Sequence, residues 1–133
     1  MPSVDAGGCG IHYTRAGENP DAPAVVFLGD LGFGAWGWSW QYGALAGPCR
    51  VVVIDTRGAG RSDAPDGPYA MADLVGDLEA ILADCNIRTA HLVGCGLGGA
   101  VAVAAARQTN RAESLTLIST PPSGEAFDPD PLS

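Results

Sequence analysis

A three-layer α/β/α fold with a mostly parallel sheet is predicted by three features of the sequence. Four short apolar runs alternate with stretches of helical periodicity. Two of them, 24–28 and 50–54, are apolar almost without interruption, as in strands covered on both faces. Glycine-rich loops at 29–34, 55–63 and 94–99 follow three of the runs. Strands that alternate with helices form a parallel sheet with helices packed on its faces. Ligands of such sheets bind beyond the carboxyl ends of the strands. The three glycine loops therefore converge on one rim, which is the predicted site.

The elements follow in order. Gly10–Arg15 alternates and reads as a short strand that carries His12 as a structural histidine. Residues 17–23 are a turn-rich loop. Ala24–Leu28 is the first buried strand. After its loop come Trp36, Trp38 and Trp40, and the four-residue spacing of Trp36 and Trp40 puts both on one helical face. Core packing is the first reading of these tryptophans, and an aromatic wall of a ligand pocket is the second. Arg50–Ile54 is the next strand, and it runs into the charged loop Asp55–Asp63. Leu74, Leu78, Ile81, Leu82 and Cys85 then recur as one helical stripe. Asp73, Asp77 and Asp84 fall mostly off that stripe and read as a solvated face, with the early acids suiting the helix dipole. His91–Val93 is the third inner strand. Gly98–Arg107 has little polar surface and is expected to be the most buried helix. Ser114–Ser119 is the fourth strand. One domain over 1–120 and a Pro/Asp-rich tail over 121–133 complete the expected organisation.

Composition narrows the function. The 133 residues are 47% apolar, enough for one core. No apolar run reaches the roughly 20 residues of a membrane span, and the N-terminus lacks a basic region followed by an apolar one. A cytoplasmic protein without a membrane partner is expected. The seven basic residues are all arginine, and the net charge is −8, which disfavours a nucleic-acid partner. Cys9, Cys49, Cys85 and Cys95 have no C-x-x-C spacing, so free thiols are expected, with neither a metal nor a disulfide framework.

The stretch His91–Gly99 carries the functional question. A strand runs into Gly94-Cys-Gly-Leu-Gly-Gly99, and an alanine-valine helix follows. This matches G-x-G-x-x-G, the dinucleotide fingerprint. That reading wants an acid about 20 positions on, at the end of the next strand. Ser119 and Thr120 stand there, and Glu113 precedes the strand. The same stretch matches the strand, nucleophile elbow and helix G-x-nucleophile-x-G-G.

Two further motifs favour the elbow. Asp55-x-Arg57-Gly58-x-Gly60-x-Ser62 and Phe27-Leu-Gly29 with Trp40-Gln41 stand in the order and spacing of the α/β-hydrolase family. Over residues 10–120 the chain resembles the N-terminal half of that family, a truncated α/β-hydrolase fold. The resemblance implies an ester, lactone or similar small-molecule carbonyl substrate and no cofactor. It places the nucleophile at Gly96, and the oxyanion-binding backbone N–H groups at Leu97 and near Leu31. Gly94, Gly98 and Gly99 are then structural, as are Asp55, Arg57, Gly58, Gly60 and Ser62.

The departures are as telling. Gly96 has no side chain to attack a carbonyl. Cys95 is the adjacent speculative nucleophile, but its place in the motif turns it away. Asp30 stands where negative charge opposes an oxyanion. The acid and histidine of the resemblance belong to later strands; His12 and His91 precede the elbow, and Asp128 and Asp130 lie in the tail. Stopping after residue 118 leaves an apolar edge that invites self-association or a partner half. The expectation is a hydrolase-lineage chain incompetent for triad hydrolysis alone. The alternatives are a binding or assembly module, half of a split hydrolase, and a dinucleotide-binding domain.

Overall fold

The computed structural model describes residues 2–30 and 35–120, with Ala35 and Trp36 described for backbone only. The predicted oxyanion position Leu31 and the tail 121–133 lie outside the described residues. Six strands form one sheet: β1 (Ser3–Ala6), β2 (Cys9–Ala16), β3 (Ala24–Leu28), β4 (Arg50–Ile54), β5 (Ala90–Cys95) and β6 (Ala112–Ile118). Their spatial order is β1-β2-β4-β3-β5-β6. β3, β4, β5 and β6 are parallel, and β1 and β2 add an antiparallel hairpin at one side. The helices are α1 (Ser39–Leu45), preceded by a 3-10 turn over Ala35–Trp38, then α2 (Met71–Asp84) and α3 (Leu97–Gln108).

The strand runs bury both faces, as their composition requires. Val26, Leu28, Val52, Ile54 and Leu92 face α2 and α3, where Leu74, Leu78, Ile81, Leu82, Val101 and Ala102 meet them. Val25, Phe27, Val51 and Val53 face the other way and pack on Trp38, with Tyr42 and Leu45 from α1 alongside. These two clusters are the two interfaces of a three-layer fold. As expected, α3 is the most covered helix, with only Arg107 and Gln108 exposed. Burying each large aliphatic side chain contributes about 2 kcal/mol, so the larger cluster dominates the stability.

Helix α2 illustrates local control. Asp73 accepts a hydrogen bond from the Ala70 amide at 3.0 Å and caps the first turn. At the other end Asn86 takes a left-handed φ of 55°, and the Ile87 amide reaches back to the Leu82 carbonyl at 2.8 Å, closing the helix. Asp77 corrects the sequence reading. It is not on a solvated face but is buried, and it binds Arg57 through two hydrogen bonds of 2.8 and 2.7 Å. Strand β1 was not anticipated. Its signal was the Gly7-Gly8 pair, both at positive φ, which turns a two-residue hairpin.

Tyr13 is buried on β2 and donates to the Asp84 carboxylate of α2. Burial first, and then this bond, hold its hydroxyl well above the usual phenol range. The unfolded chain releases that proton near pH 10, so above it the unfolded state binds fewer protons than the folded one. The stabilisation is complete below pH ~10 and is lost as pH rises towards the folded value. Urea midpoints are expected to fall more steeply with pH above ~10 in the native sequence than in Tyr13→Phe. Equal slopes would contradict this role.

Candidate active-site elbow

Strand β5 ends at Cys95, and α3 starts at Leu97, so the chain reverses direction within one residue. That residue, Gly96, has φ 58° and ψ −119°, outside the regions most side chains tolerate. The flanking glycines serve close approach. A Cβ on Gly94 would lie 2.5 Å from the Gly99 amide nitrogen, and one on Gly98 would collide with the Leu28 carbonyl oxygen of β3. Any larger residue at either position would push the helix off the sheet. The turn is fixed on both sides: the Gly96 amide donates to the Ile118 carbonyl at 3.0 Å, and its carbonyl accepts from the Gly99 amide at 3.1 Å and Thr120 Oγ1 at 3.2 Å. The sequence-predicted set Gly94, Gly96, Leu97, Gly98 and Gly99 is thus brought together as a strained strand-to-helix elbow.

Asp30 completes it. This residue follows β3 by two positions, and its Oδ1 accepts a hydrogen bond from the Leu97 amide at 3.0 Å. Its carboxylate also fills the space where a side chain on Gly96 would begin, since a Cβ built there falls on Asp30 Cγ and both oxygens. One side chain therefore occupies the space beside Gly96 and also engages the Leu97 amide. The sequence shows the charge of Asp30 but not this double occupancy, because the strand order that sets β3 beside β5 is not written in any local motif.

Cys95 lies on the sheet face opposite α3, packed against the Trp38 cluster, with its thiol half-buried and unbonded to any other cysteine. It also borders a hollow of about 170 Å3 lined by Gly29, Asp30, Gly37, Trp38, Cys95 and Ile118. Of the tryptophans, Trp38 packs in the core against Phe27 with ring centroids 4.9 Å apart, while Trp40 is exposed. No helix among the described residues is long and apolar enough to cross a membrane.

The Asp55–Asp63 loop is a brace. Ser62 Oγ accepts from the His12 amide at 2.7 Å and donates to the Asp55 carbonyl. His12 Nδ1 donates to Asp55 Oδ2 at 3.0 Å, and the Arg61 amide donates to the same oxygen at 3.2 Å. Gly60, at φ 55°, leaves room for that carboxylate. Gly58 makes room for Tyr69, over which the Arg57 guanidinium sits at 5.8 Å. The Asp77 hydrogen bonds raise the Arg57 pKa above its ordinary value, holding it charged. Ser62, His12 and Asp55 share a cluster, but the hydroxyl bonds backbone groups, and both His12 and Asp55 are buried. It is no nucleophilic triad. The second histidine, His91, lies on β5 and pairs with Glu113 at 3.2 Å.

A mostly parallel sheet flanked by helices, a glycine elbow between its β5 and α3, and a braced loop after β4 define the class. The chain belongs to the alpha/beta hydrolase fold family, whose model matches residues 23–132. It is 41% identical over 112 residues to the RutD protein of Variovorax paradoxus (strain S110), whose name assigns it to carbamate hydrolysis; the match covers 81% of this chain and 41% of RutD. It is 40% identical over 83 residues to 3-oxoadipate enol-lactonase 1 of Acinetobacter baylyi, covering 62% of this chain and 31% of that protein. The enol-lactonase of Burkholderia xenovorans LB400 superposes with a TM-score of 0.83 at 37% identity, over 90% of this chain and 46% of the enol-lactonase. The chain spans less than half the length of these relatives.

Proposed function

We propose that this chain carries the carbonyl-binding elbow of a hydrolase-lineage domain and, by itself, performs no triad-type hydrolysis. The observation that supports this most directly is the Asp30 carboxylate beside Gly96, bonded to the Leu97 amide. A carbonyl substrate placed there would meet no nucleophilic side chain from residue 96. Its developing oxyanion would also meet a fixed negative charge instead of a donor. The relatives supply the substrate class by name, carbamates and an enol-lactone. Purified chain is expected to hydrolyse p-nitrophenyl acetate no faster than a Gly96→Ala or Cys95→Ala variant, followed by absorbance. A rate above buffer that disappears in Cys95→Ala would replace this reading with thiol catalysis.

A second reading is favoured by strand β6. Its Leu115, Leu117 and Ile118 are exposed, and among the described residues no strand pairs with its outer edge. An apolar strand in that state is a template for a further strand. We infer a second copy or a companion half as its occupant. Light scattering behind a sizing column is expected to give a mass above 13.5 kDa at micromolar concentration. A monomer throughout would count against the second copy.

A further inference from the structure

Strand pairing places two arginines over one hollow at the amino-terminal edge of the parallel strands, opposite the elbow. Arg15 of β2 lies across from Val52 of β4, and Arg50 stands two residues before Val52 on the same strand. Alternation therefore puts both side chains on one face of the sheet, the face that Val52 shares with α2. Such diagonal neighbours stand about 7–8 Å apart, within reach of long side chains. Both line a hollow of about 240 Å3. Val52 and Ile87 are its buried apolar walls. Arg50 is half-buried, and its Nε donates to the Ala22 carbonyl at 3.0 Å. That bond fixes the guanidinium, whose terminal nitrogens have no partner among the described residues. Interaction with the Cys85 thiol raises the Arg15 pKa above its ordinary value and keeps it charged. Among the described residues no carboxylate forms an ion pair with either guanidinium. Two like charges this close repel each other unless an anion lies between them. Glu18 also lines the hollow, and the carbonyl end of α2 adds a partial charge of roughly −0.5. Glu18 is exposed and screened by solvent, so the two guanidinium charges prevail. Four of the seven basic residues, Arg15, Arg50, Arg88 and Arg111, stand at this edge of the sheet, where the local charge departs from the overall −8.

We propose that this hollow binds a small phosphate monoester, with its phosphoryl group bridged between Arg15 and Arg50 and its organic body against Val52 and Ile87. A phosphoryl group carries about −1.5 to −2 charge at pH 7 and three acceptor oxygens. It can therefore engage two planar guanidinium forks at once, whereas a carboxylate satisfies one. The site uses nothing of the elbow. Its failure would leave the proposed reading of the elbow intact, and turnover by the chain would not remove the phosphate site.

The test is calorimetric titration of the whole chain with phenyl phosphate, benzoate and the neutral benzyl alcohol. Phenyl phosphate is expected to bind about tenfold more tightly than benzoate, and the alcohol more weakly than both. Arg50→Gln is expected to weaken phenyl phosphate about tenfold, and Arg15→Gln, at an exposed position, about threefold or more. Glu18→Gln removes the opposing charge and is expected to strengthen binding about twofold. Should Arg50→Gln fail to fold, Arg15→Gln and Glu18→Gln still decide the matter. Amide NMR shifts on titration are expected at Ala16, Arg50 and Asn86, and not at Gly96 or Leu97. Benzoate or benzyl alcohol binding as tightly as phenyl phosphate would overturn the proposal, as would an affinity unchanged in Arg15→Gln, or shifts centred on the elbow.

Discussion

Gly96→Ser is expected to yield no esterase and to lower stability by about 3 kcal/mol, although it places a hydroxyl at the position that the sequence resemblance assigns to a nucleophile. Two costs combine. A side chain at φ 58° and ψ −119° is strained by ~1–3 kcal/mol. The new Cβ also displaces the Asp30 carboxylate from the Leu97 amide, and a lost, part-buried hydrogen bond to a charged group costs about 1.5–3 kcal/mol. The second cost belongs to the pair rather than to residue 96. In an Asp30→Gly background, therefore, Gly96→Ser is expected to cost less, with a coupling of about 1–3 kcal/mol in a double-mutant cycle. Urea unfolding of the four proteins measures it, and strictly additive effects would show that Asp30 and Gly96 do not compete for space. The double variant is still expected to lack turnover, because no histidine stands at the elbow: His12 is bonded to Asp55 and His91 to Glu113.

Arg57→Ala should be the most damaging change outside the elbow. It leaves Asp77 buried without its cation, and breaking a buried pair in this way costs about 3–5 kcal/mol. Against a total stability of ~5–15 kcal/mol, that is enough to populate the unfolded state. Replacing both partners with apolar residues, Arg57→Met with Asp77→Leu, removes the unpaired charge. That double variant is expected to be more stable than Arg57→Ala alone. Thermal unfolding at neutral pH separates the outcomes, and a double variant less stable than Arg57→Ala would refute this account of the pair.

Much of this architecture was legible in the sequence because burial on both faces leaves a plain mark. The runs 24–28 and 50–54 coincide with β3 and β4 to the residue. The stripe from Leu74 to Leu82 marks the buried face of α2, and the glycines at 94, 98 and 99 mark its neighbour's close approach to the sheet. Where partners are distant in sequence, the same reading fell short. Asp77 looks like one more solvent-facing acid until the loop after β4 brings Arg57 across to it. Likewise, Trp38 and Trp40 are indistinguishable by composition, and only the position of the sheet makes one core and the other surface. Asp30 presents the same limit at the site. Its charge can be read locally, but its partner is 67 positions away.

The contact between Gly98 and the Leu28 carbonyl gives that distant partnership a mechanical basis. Leu28 precedes Asp30 by two residues, and Leu97 precedes Gly98 by one. Carboxylate and amide thus hang on short tethers from a single point where strand and helix backbones touch. Little slack separates them, so the pair behaves as a latch whose alignment is set by the sheet itself. Loosening that latch would require the helix to lift from β3.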